Sequence, residues 1–194
     1  MATKTITLLD PTSKPRSKKL KMAIRPSNLE GKGMGLLWNN KAGGDILLNR
    51  LAQLLNERFH FSEILNYKKL NASAGFDEDK LNDLSTKCDF VVLSTGDCGS
   101  CTSYLIYDAI ELEKRGTPVI AICTREFASL GRAEAQALGM PNLAIVTVPH
   151  PVGGIEPEKV APKADNALED VIEALSTSRE KLPERTSQQS EAGV

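Results

Sequence analysis

Aromatic residues are scarce in this chain of 194 residues: they make up 5% of it, and only one is a tryptophan. So few aromatic rings exclude a platform on which nucleobases stack. An excess of one charge is also missing, because 24 lysines and arginines balance 25 aspartates and glutamates. This balance excludes a chain built mainly to coat nucleic acid. No apolar run in the sequence approaches the ~18 residues that a membrane-spanning helix needs. We therefore expect neither nucleic acid nor a membrane among the partners.

The charge and composition of the two ends set them apart from the middle of the chain. Residues 1–25 carry seven basic residues and one aspartate, and residues 11–30 are rich in proline, serine and lysine. We predict a solvated, extended basic arm over residues 1–30. Residues 178–194 are polar and contain a proline, which predicts a disordered tail. With 41% apolar residues in the whole chain, residues 31–177 are long enough for a single α/β catalytic domain.

The chain has four cysteines, at positions 88, 98, 101 and 123. Its first ten residues lack the apolar core of a secretory signal. In a chain of this size without such a signal, cysteines are more often reduced thiols than a disulfide framework. We therefore expect a cytoplasmic protein with free thiols.

Short apolar runs alternate with amphipathic segments along the domain. The predicted strands are 34–38, 61–67, 90–93, 119–123 and 143–148, and the predicted helices are 45–59, 77–87, 102–115, 126–138 and part of 157–175. Apolar runs without polar alternation indicate strands covered on both faces, as in parallel sheets. With right-handed crossovers, this pattern predicts a three-layer, doubly wound α/β fold around a mainly parallel five-stranded sheet, flavodoxin-like or Rossmann-like.

Two unusual loops follow the first and the third predicted strands. Their sequences are NNKAGGD over residues 39–45 and TGDCGSCT over residues 95–102. In a doubly wound sheet, ligands bind at the carboxyl ends of the strands, where the strand order reverses. If the order is 2-1-3-4-5, this switch point lies between the first and the third strands. We expect the site there.

Cys98 and Cys101 form a CxxC motif between a strand and a helix. Free backbone N–H groups and the helix dipole at that position lower the pKa of a thiol and make it nucleophilic at neutral pH. The second thiol, three residues on, can resolve an adduct formed on the first. Two alternatives stay open: a pair of buried structural thiols, and a zinc site with His150 as a third ligand.

Asp97 and His150 are the candidate acid/base residues. Asp97 directly precedes the motif, and His150 follows the fifth strand between two prolines that stiffen its backbone. Both are expected on the same rim as the motif, where a carboxylate or an imidazole can move a proton. Each also has a structural alternative, because Asp97 can close the loop as a capping residue and His150 can be a turn histidine.

Candidates for binding the substrate come from the same loops and from the end of the fourth strand. Lys41 offers a cation and Asn39 an amide to an anionic group, and Gly99 lets the backbone approach a ligand closely. The remaining candidates are Ser100, Thr102 and Thr124. Neither GxGxxG nor GxxxxGK[ST] is present, which disfavours a nucleotide cofactor. We assign no cofactor and no metal.

Several separated motifs resemble the UGSC family. They are GDCGSCTS at 96–103, LLDPT at 8–12, GLL at 35–37, the residues Asp108, Ala109, Glu113, Arg115 and Gly116 of one predicted helix, and VPHP at 148–151 followed by two glycines at 153–154. In selenium-containing members of that family, selenocysteine stands at the position of Cys98. The family is similar to the catalytic selenoprotein B subunits of glycine, sarcosine and betaine reductases, whose selenolate attacks carbon and cleaves a C–N bond reductively. The resemblance implies that Cys98 is the nucleophile and Cys101 its resolving partner.

These observations predict a thiol-dependent enzyme that forms a covalent adduct between Cys98 and a small anionic organic substrate. Reductive cleavage would need a thiol reductant or an electron-donor protein to restore Cys101 and Cys98. Sulfur is a poorer nucleophile than selenium, so a lyase or hydrolase reaction without net redox change is the alternative. A non-catalytic CxxC redox or zinc-binding module is a third hypothesis, and a subunit of a larger reductase is a fourth. We also expect a homo-oligomer, because the sheet leaves an edge strand exposed.

Overall fold

The computed structural model describes residues 19–176, so the beginning of the predicted arm and the predicted tail at 178–194 lie outside the described residues. The five strands are β1 (Gly33–Trp38), β2 (Glu63–Lys68), β3 (Phe90–Gly96), β4 (Val119–Thr124) and β5 (Ile145–Val148). The five helices are α1 (Gly44–Phe59), α2 (Glu78–Lys87), α3 (Gly99–Lys114), α4 (Arg125–Ala137) and α5 (Pro157–Ser176). Strands and helices alternate strictly, as the apolar pattern predicts.

The five strands form one sheet in the order β2-β1-β3-β4-β5, and every neighbouring pair is parallel. The predicted doubly wound α/β fold is confirmed. The order reverses between β1 and β3, where Trp38 is paired with Ser94. The loops that follow these two strands therefore begin side by side at the carboxyl edge of the sheet.

Helices cover both faces of the sheet, because β1, β3 and β4 are apolar on both faces. On one face α1 and α5 pack through residues such as Leu47, Leu51, Val160 and Val171. On the other face α2, α3 and α4 pack through residues such as Leu84, Leu105, Ile106 and Ala135. Within residues 19–176, no helix combines the length and the apolarity needed to cross a membrane.

The connection between β3 and α3 along the chain is shorter than the apolar patterns of the sequence indicate. β3 continues through Ser94, Thr95 and Gly96 beyond its apolar run, and all three residues are buried. Pairing with β4 shifts by one residue between Ser94 and Gly96, so Thr95 is an extra residue in a β-bulge. Because α3 begins at Gly99 rather than Thr102, only two residues connect the strand to the helix.

The described part of the predicted arm is extended, but its side chains pack against the domain. Leu20 and Met22 pack against the core on the side of α3 and α4. Arg25 forms a buried ion pair with Glu113, with 2.7 Å between Nη1 and Oε1, and the other oxygen of Glu113 accepts from the backbone N–H of Ala23 at 2.7 Å. The expectation of a solvated arm is therefore wrong for these residues. A buried carboxylate on α3 requires a cation, and the arm supplies it.

Candidate functional site

Three loops and one direct strand-to-helix junction meet at the carboxyl edge of the sheet around the CxxC motif. The loops follow β1, β3 and β5, and the junction is that of β4 with α4. The first and last of these loops touch at Gly43, which has a positive φ of 78° and leaves only 2.5 Å between an added Cβ and the carbonyl oxygen of Val152. A residue with a side chain is disfavoured there by both conformation and space. The small residue thus brings the lysine-containing loop against the loop that carries His150.

Cys98 is the N-cap residue of α3, and its side chain is partly exposed. Its Sγ accepts from the backbone N–H of Cys101 at 3.4 Å and lies 4.0 Å from the Ser100 Oγ. Partial burial raises the pKa of Cys98, but the hydrogen bonds from Cys101 and Ser100 and the charge of Lys41 outweigh it. The net effect lowers the pKa of this thiol below its ordinary value. A lowered pKa increases the fraction of a thiol that is present as the nucleophilic thiolate.

Cys101 is fully buried in the first turn of α3. Its Sγ–H donates to the carbonyl oxygen of Cys98 at 3.3 Å, and its sulfur accepts from the backbone N–H of Asp97 at 3.3 Å. Burial, and then the hydrogen bond to the Cys98 side chain, raise the pKa of Cys101 to about 11. The motif therefore pairs a partly exposed thiol of lowered pKa with a buried thiol of raised pKa beneath it. Both are free cysteines.

Asp97 binds His150 and the loop that follows β5. One carboxylate oxygen lies 2.9 Å from the His150 Nδ1. The backbone N–H groups of Val152 and Gly153 donate to the same carboxylate at 3.2 and 2.8 Å. The Asp97 side chain is thus engaged with that loop, while the cap of α3 is Cys98. A carboxylate on Nδ1 fixes the imidazole ring and leaves Nε2 for proton transfer.

His150 is 33% exposed and is held from a second side by Thr124, whose Oγ1 lies 3.1 Å from Nδ1. The Glu126 carboxylate lies farther away, at 3.8 Å from the same nitrogen. The ring of Phe127 packs against the imidazole, with 5.8 Å between centroids. His150 is therefore an oriented, solvent-accessible imidazole on the rim that carries Cys98.

Lys41 is the cation of the site. Its Cε and the Asp97 Oδ2 both lie within 3.2 Å of the point where a Cβ on Gly153 would stand, so the two side chains flank this glycine. Within the described residues no carboxylate lies within 4.0 Å of the Lys41 ammonium, and the side chain is partly exposed. An ammonium group without an internal partner beside a reactive thiol favours an anionic ligand.

The other predicted binding residues divide into buried and exposed ones. Asn39 is buried and its amide bonds both backbone groups of Thr95 at 3.0 Å. Thr102 Oγ1 donates to the carbonyl oxygen of Cys98 at 2.6 Å, and Thr124 Oγ1 donates to that of Gly96 at 3.2 Å. These three side chains hold the loops in place. Gly99 and Ser100 are exposed next to Cys98, where they can contact a substrate.

The structure also shows contacts that sequence reasoning missed. Ser73, in the loop after β2, lies against Ser100 of the motif, with 2.8 Å between the two hydroxyl oxygens. The buried hydroxyls of Ser94 and Thr95 contact each other below the site. The polar residues STG at the end of the apolar run of β3 were a sequence signal for the contact between Ser94 and Thr95. The contact between Ser73 and Ser100 could not be predicted without knowing that β2 lies beside β1.

The predicted zinc alternative has no ligand set in the described residues. Between residues 19 and 176 no group of three or more histidine, cysteine, aspartate and glutamate side chains is arranged to hold a metal ion. The thiol of Cys101 is directed to the backbone, and His150 is bound to Asp97. The geometry around the motif therefore fits thiol chemistry better than zinc binding.

Comparison with protein families gives a match over most of the chain. The sequence model of the UGSC family matches residues 7–177, which include every element of the fold and every residue of the site. A search of curated proteins finds no match to the chain.

Proposed function

The chain belongs to the UGSC family, and from the geometry of its CxxC loop we propose that it is a thiol-dependent enzyme. In this proposal Cys98 forms a covalent adduct with a small anionic organic substrate, and Cys101 completes a reductive bond cleavage. The observation that carries the proposal is the pairing of an accessible thiol of lowered pKa with a buried thiol next to it. The resemblance of the motif to the catalytic subunits of the selenium-dependent reductases supports placing the attack at Cys98.

In the first half-reaction the Cys98 thiolate attacks the substrate carbon. A C–S bond forms, the bond from carbon to the leaving group breaks, and the leaving group takes the electron pair. In this proposal His150 protonates that group through Nε2, and the Asp97 carboxylate 2.9 Å from its Nδ1 supports the role. General acid catalysis of this kind contributes about 10²-fold to 10⁴-fold.

In the second half-reaction Cys101 loses its proton and attacks the sulfur of the adduct. An S–S bond forms, the C–S bond breaks, and the carbon takes the electron pair and a proton. A carbonyl or carboxylate next to that carbon makes the step feasible, because the charge can be delocalised as an enolate. The dithiol has then lost two electrons, and an external thiol reductant or electron-donor protein must reduce the disulfide before the next turnover.

An anionic substrate is supported by the charges at the rim. Lys41 is free of internal carboxylate partners in the described part of the chain, and α1 begins beside it without a side-chain cap at Gly43. The backbone N–H groups of an uncapped first turn and a nearby ammonium both favour negative charge. The buried carboxylate of Asp97 at the rim already contacts His150 and accepts from two backbone N–H groups.

A lyase or hydrolase reaction without net redox change is the second candidate, and the Asp97–His150 pair favours it. A carboxylate-oriented imidazole next to a nucleophilic thiol is the arrangement that activates water or abstracts a proton in many non-redox cysteine enzymes. In that case Cys101 would act only by lowering the pKa of Cys98 through its hydrogen bonds, and no reductant would be consumed.

Bromoacetate and the Cys101→Ser variant test these alternatives. Reduction predicts that the wild-type chain, supplied with dithiothreitol, converts bromoacetate to acetate, whereas hydrolysis predicts glycolate. In Cys101→Ser, reduction predicts a carboxymethyl adduct on Cys98 that accumulates and is visible in the intact mass. Bromoacetamide, equal in size but neutral, is the control for the anionic site. Acetate production that continues in Cys101→Ser would exclude the resolving role. A Cys101→Ser variant that forms neither an adduct on Cys98 nor a product would exclude the covalent mechanism.

A further inference from the structure

The loop after β2, residues 69–76, is fastened at both ends to a single carboxylate on α3. One oxygen of Asp108 forms an ion pair with the Lys69 ammonium, and the other accepts from the backbone N–H of Phe76 at 2.8 Å. Asp108 is 1% exposed and Lys69 3%. The backbone N–H of Lys69 also donates to the carbonyl oxygen of Trp38 at 2.9 Å. The ends of this loop are therefore fixed to the same helix that begins at the CxxC motif.

The middle of the loop contacts the two loops of the switch point. Asn40, from the loop after β1, donates its side-chain N–H to the carbonyl oxygen of Leu70 at 3.1 Å. Ser73 lies against Ser100, with 2.8 Å between their hydroxyl oxygens. Ser100 in turn is the hydroxyl next to the Cys98 sulfur, at 4.0 Å. A chain of contacts thus runs from Asp108 through the loop to the nucleophile.

A buried ion pair is a costly way to stabilise a fold. Removing two charges from water costs about as much as their attraction returns, and an apolar pair of the same shape is often as stable. Such pairs are best attested where they fix one arrangement out of several. Here the arrangement that the pair fixes is the position of a loop whose middle reaches the first turn of α3.

We propose that Ser73 and Asp108 are positioning residues of the thiol site. Asp108 fixes the loop on α3, and Ser73 donates its hydrogen bond to the Ser100 hydroxyl, whose single proton is thereby directed to the Cys98 sulfur. This proposal rests on the proposed function, in which Cys98 attacks as a thiolate. Without Ser73, the exposed Ser100 hydroxyl is free to rotate toward water, and the thiolate loses one of its donors.

The direct test is the pH profile of Cys98 alkylation by iodoacetamide in the full chain, followed by peptide mapping. The titratable groups that act on Cys98 are Cys101 on its own helix and Lys41 on the loop after β1, and both stay unchanged in the Ser73 variants. Ser73→Ala is expected to slow alkylation at pH 7 by ~3-fold while leaving the rate at high pH unchanged, as a higher thiol pKa requires. Ser73→Thr, which keeps a hydroxyl, is expected to restore the wild-type profile.

Ser85→Ala is the matched control, because Ser85 is a partly exposed serine on α2 whose hydroxyl donates to the carbonyl oxygen of Asn82 in its own helix. Ser100→Ala is expected to shift the profile as Ser73→Ala does, and the double variant is expected to shift it no further, since the two hydroxyls act as a unit. An unchanged profile in Ser73→Ala, or additive shifts in the double variant, would overturn the role of Ser73.

The role of Asp108 is tested by replacing the whole ion pair with Lys69→Met and Asp108→Leu together, so that no buried charge is left alone. A folded double variant with the shifted profile supports the proposal, and a folded one with the wild-type profile overturns the part played by Asp108. If the double variant does not fold, Asp108→Asn, which keeps an acceptor for Phe76, decides between the same two outcomes. Alkylation requires no substrate. The alkylation profiles therefore test the roles of Ser73 and Asp108 even if the chain does not convert bromoacetate.

Discussion

Cys88 and Cys98 stand at opposite ends of the same strand, each two residues outside β3, and the structure gives them opposite chemistry. Cys88 is the C-cap residue of α2, at the amino edge of the sheet. Burial, followed by the charges of Glu63, Asp89 and Asp83, raises its pKa to about 11. Cys98 is the N-cap residue of α3, at the carboxyl edge, and its pKa is lowered.

The direction of the strands accounts for this difference. In a parallel sheet with right-handed crossovers, each helix begins near the carboxyl edge and ends near the amino edge. Free N–H groups and the positive ends of the helix dipoles therefore gather at the carboxyl edge. At the amino edge, helix ends present carbonyl groups, and Glu63 and Asp89 add negative charge there. The N-cap thiol at the carboxyl edge has a lowered pKa, and the C-cap thiol at the amino edge has a raised one.

The largest expected effect comes from removing each thiol in turn. Cys98→Ser is expected to abolish the adduct with bromoacetate and to lower turnover by ~10³-fold or more, because a serine hydroxyl is not ionised at neutral pH. Cys88→Ala, the matched change at the other end of β3, is expected to leave turnover within about 2-fold. Intact mass and acetate production measure both. Full activity of Cys98→Ser would contradict the proposal that the thiol at the carboxyl edge, unlike that of Cys88, is the nucleophile.

The two histidines extend the comparison, since His150 lies at the carboxyl edge and His60 at the end of α1. His150→Gln is expected to lower turnover by ~10²-fold, because the Asp97-bound imidazole is the proposed proton donor. His60→Gln is expected to have no effect, because this side chain is exposed and its Nδ1 lies 3.3 Å from the exposed Glu30 carboxylate rather than at the carboxyl edge. Acetate production from phenoxyacetate measures both variants, because phenoxide takes a proton as it leaves, whereas the bromide of bromoacetate does not. Equal activity of the two variants would argue against an acid/base role for His150.

A smaller effect is expected in the pH dependence of alkylation. At pH 7 iodoacetamide is expected to label Cys98 at least ~10-fold faster than Cys88, since a thiol with a pKa of about 11 holds very little thiolate there. As the pH falls, labelling of Cys98 is expected to persist to a lower pH than labelling of a thiol of ordinary pKa. Labelling of Cys88 is expected to increase only in alkali, as the pH approaches its pKa of about 11. Peptide mapping across pH 5–10 measures both. Preferential labelling of Cys88 at pH 7 would contradict the electrostatic contrast.

The smallest effect is expected from Lys41→Gln, which removes one positive charge from the carboxyl edge. Because the Lys41 ammonium lowers the pKa of Cys98, its loss is expected to raise that pKa and to slow alkylation at pH 7 by ~2-fold to 5-fold. Lys159→Gln, which removes an exposed lysine paired with Glu156, is the control. A profile that does not move would assign the lowered pKa to the hydrogen bonds from Cys101 and Ser100 without a contribution from Lys41.

Much of the fold was predictable because it depends on local apolar patterns. The runs at Met34–Trp38 and Val119–Cys123 predicted two strands within one residue of their ends, and the doubly wound topology followed from their alternation with helices. The extension of β3 to Gly96 was not predictable from apolarity. Ser94 and Thr95 are buried by loops from distant parts of the chain, and Asn39 satisfies the backbone of Thr95.

For the site, the residue types and their edge of the sheet were predictable, but their partners were not. The sequence placed Asp97 and His150 on one rim, whereas the 2.9 Å contact between them depends on how the loop after β5 folds back. In the same way, Arg25 belongs by composition to a basic arm, yet it is buried against Glu113 because both groups lose water in the fold and must pair.

The sequence by itself determined the order of strands and helices and the switch point at which the CxxC motif lies, because hydrophobic periodicity and chain connectivity are local properties. Only the tertiary structure decided which thiol is accessible, which carboxylate holds the imidazole, and that a loop from the far side of β1 reaches Ser100. Those features depend on distances between residues 27 to 55 positions apart in the chain. Such distances are set by the packing of the whole domain rather than by the neighbours of each residue.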